Sequence, residues 1–167
     1  MELSRENIEV VTLREYRSGD LDAMYQLDLV CFEPPFRFNR RAMRFFAQAP
    51  GSISLIAESG VKLVGFCVVQ VKEQVGYVVT LDVAPEWRRH GLAMRLMKEL
   101  EMQARAAGAM EMALHVFVGN LAAIRFYERI GYVRTGLAKS FYGRGVDALV
   151  YRKACSVTHK ADVFAPL

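Results

Sequence analysis

The stretch "LDVAPEWRRHGLAMRL" (residues 81–96) runs from an apolar strand, through a turn that contains a glycine, directly into a helix. Pro85 ends the strand, and Gly91 lets a ligand approach the backbone of the turn closely. The first N–H groups of a helix lack intrahelical partners, and the helix dipole adds partial positive charge. Arg88 and Arg89 add full charges. The stretch predicts an anion site suited to a pyrophosphate, the alternative being an ordinary turn with solvated arginines.

The elements on both sides of this stretch predict an α/β (α+β) domain. Strands joined by tight turns should pair antiparallel, whereas the two strands that flank the helix after Gly91 should pair in parallel. We expect a mixed, twisted, largely antiparallel sheet of seven strands with four helices on its two faces, ordered β-α-α-β-β-β-α-β-α-β-β. The predicted strands are 8–16, 52–59, 62–72, 75–85, the strand containing His115, 132–138 and 146–152, and the predicted helices are 18–32, 39–49, 91–108 and 120–131. We expect one domain over 1–153 and a tail of unknown role over 154–167.

The composition indicates a globular protein, with 53% apolar residues, 24% charged residues and a net charge of +4. No apolar run approaches the ~20 residues that span a bilayer, and the first residues lack the apolar segment of a signal peptide. We therefore expect a cytoplasmic protein that does not bind membranes. The three cysteines, Cys31, Cys67 and Cys155, are too few and too scattered for a disulfide framework or a zinc site. The positive charge favours an anionic partner, either nucleic acid or a phosphorylated cofactor.

A histidine interrupts an otherwise apolar strand in "EMALHVFVGN" (111–120). His115 is either a core histidine satisfied by a neighbour or a proton acceptor presented to a bound molecule. The strand leads directly into "NLAAIRFYERIGY" (120–132), which predicts a helix capped by Asn120 and closed by Gly131.

Two signatures in register resemble those of the GNAT superfamily of acetyl-CoA-dependent N-acetyltransferases. "VAPEWRRHGLAMRLM" (83–97) is similar to the [QR]-x-x-G-x-[GA] motif, and "NLAAIRFYERIGY" is similar to N-x-x-A-x-x-[FL]-Y-x-x-x-G-[FY]. Their separation and the order of elements over 8–153 also agree with the superfamily. The resemblance implies the GNAT fold and transfer of an acetyl group from acetyl-CoA to a primary amine, without a metal.

The resemblance also implies which residues contact the cofactor. The turn would hold the pyrophosphate through its backbone amides, and Leu81 and Val83 would pair through their main chain with the pantetheine arm. An amide near Val83 would stabilise the oxyanion. Asn120 matches a cofactor-contacting asparagine, with a simple helix cap as the alternative. The implied set is Leu81, Asp82, Val83, Arg88, Arg89, His90, Gly91, Leu92, Ala93, Asn120, Ala123 and Tyr127.

Three residues are implied to carry the chemistry. Tyr127 matches the tyrosine beside the cofactor sulfur, where it would protonate the leaving thiolate; the alternative is a core aromatic. The segments around Tyr77, His115 and the 141–151 stretch look like protein N-terminal α-acetyltransferases. In the NatE type, a tyrosine and a histidine at the positions of Tyr77 and His115 order a water that takes the amine proton. The bacterial ribosomal-protein-alanine enzymes instead have glutamate at the position of His115.

The acceptor side is also implied by this resemblance. "CFEPPF" (31–36) would receive the first substrate residue, with Phe32, Pro35 and Phe36 as apolar walls; the alternative is a rigid turn between helices. Tyr142 would hydrogen-bond the peptide backbone from the opposite side. One predicted helix face is basic and comprises Arg37, Arg40, Arg41 and Arg44. This face either is simply solvated, or it attracts acidic peptides or a ribosomal surface.

The sequence thus predicts an acetyl-CoA-dependent enzyme that acetylates a protein or peptide N-terminus, with ribosomal proteins among the candidate substrates. An α-amino group has a pKa of about 7.7–8.0, so a base of modest strength can deprotonate it near neutral pH. The alternatives are a small-molecule amine or lysine acetyltransferase on the same fold, and a degenerate CoA-binding or RNA-associated module. Direct nucleic-acid binding is not expected.

Overall fold

The elements of the chain follow the predicted order. The computed structural model describes residues 10–155. It contains β1 (Val11–Glu15), α1 (Leu21–Cys31), α2 (Arg40–Gln48), β2 (Ser52–Ser59), β3 (Lys62–Lys72), β4 (Val75–Val83), α3 (Leu92–Ala106), β5 (Glu111–Phe117), α4 (Leu121–Arg129), β6 (Val133–Ala138) and β7 (Ala148–Ala154). The predicted start of the first strand, residues 8 and 9, and nearly all of the predicted tail lie outside the described residues.

Two element ends differ from the prediction for local reasons. The first helix is preceded by a 3₁₀ turn at Ser18–Asp20, so regular α-helix begins only at Leu21. The strand predicted to reach Pro85 stops at Val83, because Pro85 begins a second 3₁₀ turn that ends at Trp87. This short turn positions the arginines that precede α3.

The strands of the described chain form one seven-stranded sheet in the order β1-β2-β3-β4-β5-β7-β6. Neighbouring strands are antiparallel except β4 and β5, which are parallel as predicted. Within the described chain, β4 and β5 pair only from Val75 with Glu111 to Tyr77 with Ala113, and then separate. On its other edge β4 carries one extra residue, Val79, opposite β3. Such a bulge bends the strand, and the sheet opens between β4 and β5 beyond it.

Helices cover both faces of the sheet, as predicted. On one face α3 buries Leu92, Leu96 and Leu100 against the sheet, and apolar residues of α4 pack beside them. On the other face α1 and α2 bury residues such as Met24 and Met43 against β2, β3 and β4. In the part of the chain that the structure describes, every helix is too short or too polar to cross a bilayer.

Candidate active site

The opening between β4 and β5 forms a cavity of about 630 Å³. One wall is the free edge of β4, the opposite wall comes from β5 and α4, and the loop after α1 closes one end. Of the residues predicted for the site, those lining the cavity are Phe32, Phe36, Leu81, Val83, Arg88, Ala93, His115, Asn120, Ala123, Tyr127 and Tyr142. Those outside the lining are Pro35, Tyr77, Asp82, Arg89, His90, Gly91 and Leu92.

The turn before α3 has the backbone geometry expected of an anion site. Arg89 and Gly91 both adopt left-handed conformations, with φ of 64° and 78°, and α3 begins at the next residue. Successive N–H groups of such a turn, together with the unpaired first N–H groups of the helix, form a concave set of donors. Arg88 lies beside them and donates from Nε to the carbonyl of Val83 at 3.0 Å. The turn therefore fits a pyrophosphate by main-chain donors and charge, while the side chain of Leu92 is in the core.

The free edge of β4 fits an extended arm added as a strand. Ala84 N–H donates to the carbonyl of Val64 on β3 at 2.9 Å. Because main-chain groups alternate between the two edges of a strand, those of Leu81 and Val83 face the opening, and those of Asp82 face β3. The carbonyl of Val83 already accepts from Arg88, so its N–H is the group left for a ligand. The side chain of Asp82 is fully buried on the α1 face, away from the cavity.

His115 is held by three aromatic residues. Its Nδ1 hydrogen-bonds the hydroxyl of Tyr77 at 2.9 Å, and its ring stacks on Phe141 with centroids 3.9 Å apart. Tyr142 donates its hydroxyl hydrogen to the carbonyl of His115 at 3.2 Å. Burial and the positive charge of Arg152 lower the pKa of His115. The imidazole is thus neutral near pH 7, and when Nδ1 donates to Tyr77, Nε2 is free to accept a proton.

Tyr77 supports His115 from behind the cavity wall. Tyr77 pairs with Ala113 across the β4–β5 ladder, and His115 is two residues farther along β5 on the same face. Burial raises the pKa of Tyr77 to about 12, so its hydroxyl keeps its proton at ordinary pH. The Tyr77 hydroxyl and His115 Nδ1 are in direct hydrogen-bond contact, and the ordering of a water by these two residues stays a prediction.

Tyr127 and Asn120 lie on the α4 side of the cavity. The Tyr127 ring contacts Phe126 and Tyr132 edge to face, with centroids 5.3 and 5.7 Å away. Burial, followed by the effect of Tyr142, raises the pKa of Tyr127, so the hydroxyl keeps its proton at neutral pH. Asn120 caps α4 by accepting from Ala123 N–H at 3.2 Å. The cap is therefore present in the structure, and contact of Asn120 with a cofactor stays a prediction.

An aromatic group closes the acceptor end of the cavity, the name used below for the end that is predicted to receive the acceptor. The Phe36 ring lies 4.8 Å from that of Phe117 and 5.0 Å from that of Tyr142. Phe32 and Glu33 also line this end, whereas Pro35 does not. This end of the cavity is thus formed by the loop after α1 together with aromatic residues of β5 and the β6–β7 loop.

Sequence reasoning missed Phe117, Phe141 and the cavity-lining position of Cys31. Burial raises the pKa of the Cys31 thiol to about 11, which makes it an unreactive wall residue. The signal for Phe141 was its place beside Tyr142 in the polar loop "SFYGRG" (140–145). Among residues 10–155, no three His, Cys, Asp or Glu side chains come together as a metal site.

Comparison with known proteins shows the family and the fold of the chain. Residues 21–132 match the Acetyltransferase (GNAT) family. The chain is 30% identical over 142 residues to an N-acetyltransferase of Methanocaldococcus jannaschii, covering 84% of this chain and 90% of that protein. It is 28% identical over 152 residues to the N-terminal acetyltransferase B complex catalytic subunit of Arabidopsis thaliana, covering 88% and 87%.

Among solved structures, the ribosomal-protein-S18-alanine N-acetyltransferase from Escherichia coli has the same fold. The TM-score is 0.79 at 21% identity, and the alignment covers 91% of this chain and 98% of that one. Three observations lead to one conclusion. The family match includes both sequence signatures, the fold is the same, and the cavity fits an extended thioester arm. The chain belongs to the GNAT family of acetyltransferases and is an acetyl-CoA-dependent N-acetyltransferase.

Proposed function

We propose that the chain acetylates the α-amino group at the N-terminus of a protein or peptide. The observation that carries this proposal is the neutral His115, held by Tyr77 at 2.9 Å, on the wall opposite the free edge of β4. A base placed there can take a proton from an amine that enters from the acceptor end. Similarity to the N-terminal acetyltransferase B catalytic subunit supports a protein N-terminus as the acceptor.

The proposed chemistry needs two proton transfers by residues of this chain. When bound, acetyl-CoA supplies a thioester whose carbonyl carbon is electrophilic and whose sulfur can leave. His115 accepts the amine proton at Nε2, directly or through a water, while Nδ1 stays bonded to Tyr77. Val83 N–H faces the opening and would stabilise negative charge on the carbonyl oxygen. Tyr127, which retains its proton, would donate it to the departing sulfur.

The acceptor end supports a peptide better than a small polyamine. Its lining includes the aromatic residues Phe32, Phe36 and Tyr142. Glu33 supplies a carboxylate to the same lining. An aromatic pocket binds an apolar first side chain, whereas a polyamine needs several carboxylates. The chain's resemblance to the S18-alanine enzyme is one of fold, so a ribosomal protein is one candidate among protein substrates.

The test is acetyl transfer to peptides that differ in their first two residues, alongside free lysine, polyamines and small amines. Each peptide has a matched control of the same sequence with a blocked N-terminus and an internal lysine. We expect modification only of peptides with a free N-terminus, with a preference set by the first residue. Preference for free lysine over every peptide, or equal transfer to the blocked control, would overturn the proposal.

A pair of variants tests the acceptor pocket itself. Phe36→Ala should raise KM for the peptide by about tenfold, because it removes a half-buried aromatic wall of the cavity. Phe45→Ala on α2 is the matched control, since Phe45 is 63% exposed and lies outside the cavity. Equal peptide KM values for the two variants would place the first substrate residue elsewhere.

A further inference from the structure

Two carboxyl groups meet in the interior, directly behind the acceptor end of the cavity. Asp28 lies in the last turn of α1 and Asp82 lies on β4, and both are 0% exposed. The two carboxyl groups are close enough to hydrogen-bond if one of them carries a proton. The catalytic scheme proposed above uses neither carboxyl group, and buried acidic groups are costly unless they are paired.

The hydrogen bonds of the pair leave one oxygen of each group without a donor among residues 10–155. Thr80 Oγ1 donates to Asp82 Oδ1 at 2.5 Å, and Phe38 N–H donates to Asp28 Oδ2 at 2.8 Å. Among residues 10–155, Asp28 Oδ1 and Asp82 Oδ2 receive no N–H or O–H group. Two ionised carboxylates have only acceptors, so a bond between them requires a proton on one.

The surroundings suit a pair with a single negative charge. Burial raises the pKa of both groups, and the nearby Asp28 carboxylate raises the pKa of Asp82 further. Arg37 acts electrostatically on Asp28 and Arg88 acts on Asp82, so the remaining charge is offset. The titratable or charged groups that act on the pair or respond to it are Cys31, Arg37, Cys67, Arg88 and Tyr127.

Asp28 also closes the loop that forms the acceptor end of the cavity. Phe32 N–H donates to the main-chain carbonyl of Asp28 at 2.9 Å, and Phe38 N–H donates to its carboxylate. Both ends of the 32–38 loop are therefore bonded to one residue. Asp82 belongs to the strand between Leu81 and Val83, whose main chain faces the opening. The carboxyl pair thus joins the acceptor loop to the thioester-binding strand.

We propose that Asp28 and Asp82 share one proton, and that this proton fastens the acceptor loop to β4. The two residues are positioning residues: they act on the substrate through the loop and the strand. The shared proton does not depend on the proposed function, whereas the expected effect on a peptide acceptor rests on that function. Near pH 7 both groups are ionised in the unfolded chain, so the chain takes up this proton from solvent when it folds.

The first test counts the proton by the pH dependence of unfolding in the wild type and in Asp82→Asn. The asparagine amide donates to Asp28 permanently, so the variant keeps the bond without the proton. At pH values between the ordinary pKa of aspartate and the pKa of the pair, the folded wild type binds one more proton than the unfolded wild type. Its unfolding equilibrium constant should therefore rise about tenfold per pH unit relative to the variant. A relative slope of zero or of two protons overturns the proposal.

The second test measures the positioning role with Asp28→Asn and Asp28→Ala. The amide introduced by Asp28→Asn can still accept from Phe38 and donate to Asp82, whereas the methyl group left by Asp28→Ala can do neither. We expect Asp28→Ala to raise the KM for the peptide by about tenfold, as expected for a lost charged hydrogen bond, with less effect on the KM for acetyl-CoA. Asp28→Asn should restore the peptide KM.

Equal peptide KM values for the two Asp28 variants would overturn the positioning role. If Asp28→Ala does not fold, two measurements still decide the proposal: the pH dependence of unfolding with Asp82→Asn, and the peptide KM of Asp28→Asn. A tenfold rise in the peptide KM of Asp28→Asn would contradict the proposal. If no peptide is acetylated by the wild type, the proposed function fails, while the unfolding measurement still decides whether the proton is shared.

Discussion

His115→Ala and Tyr77→Phe should differ in their effects on catalysis, because His115 lines the cavity and Tyr77 stands behind it. Removing a general base lowers kcat by about 10²-fold or more. Removing the Tyr77 hydroxyl takes away one hydrogen bond to a ring that also stacks on Phe141. A neutral hydrogen bond contributes about 0.5–1.5 kcal/mol, so Tyr77→Phe should lower kcat only about 2- to 12-fold.

The assay is steady-state acetylation of one peptide at saturating acetyl-CoA, followed by single-turnover measurement to isolate the chemical step. Tyr16→Phe is the matched control, because its hydroxyl accepts a hydrogen bond from Gln48 at the same 2.9 Å in a position outside the cavity. This control should leave kcat unchanged. It separates the loss of a hydroxyl near His115 from a general effect of losing a hydroxyl hydrogen bond.

Two outcomes would refute the reasoning. Wild-type turnover in His115→Ala would mean that the histidine is a core residue. A loss in Tyr77→Phe equal to that in His115→Ala would mean that the two side chains act as one unit on a water, so that Tyr77 is more than a support.

Three further perturbations test other parts of the site. The pKa of His115 is lowered, and only the neutral form of the imidazole accepts a proton. We therefore expect kcat/KM to fall with decreasing pH only below about pH 6.5. A pH–rate profile with an acid limb above that value would contradict the assignment. Tyr127→Phe should lower the single-turnover rate by about tenfold or more while leaving that acid limb in place, and an unchanged rate would return Tyr127 to the core. Gly91→Ala forces a side chain into φ 78° without a clash, so Tm should fall by roughly 2–8 °C and the KM for acetyl-CoA should rise. Gly60→Ala, at φ 60° in the β2–β3 turn, should lower Tm comparably and leave that KM unchanged; equal KM effects would show that the turn at Gly91 has no special role.

The order of helices and strands could be predicted from local patterns. The limits of β2 and β3 agree with the structure to the residue, because a continuous apolar run marks each strand and the Ser59–Gly60 turn separates them. Leu92, Leu96 and Leu100 recur every four residues, as on one face of a helix, and all three are buried. These features depend on neighbours within one element, so the chain carries them locally.

The arrangement of the sheet was only partly accessible. The parallel pairing of β4 with β5 followed from the crossover helix between them, but the place of β7 between β5 and β6 did not. The prediction also included Asp82, with Leu81 and Val83, in the set of cofactor contacts. In the structure the alternation of the strand sends Leu81 and Val83 to the cavity and Asp82 to the opposite face, because successive residues of a strand face opposite sides.

By itself, the sequence determined the elements, the glycine turn before α3 and the family, since each depends on residues close together in the chain. Contacts between distant residues were decided only by the tertiary structure. Tyr77 and His115 are 38 positions apart and meet because the β4–β5 register brings them onto one face before the strands separate. Asp28 and Asp82 meet because α1 packs across β4, and burial there makes a shared proton less costly than two charges.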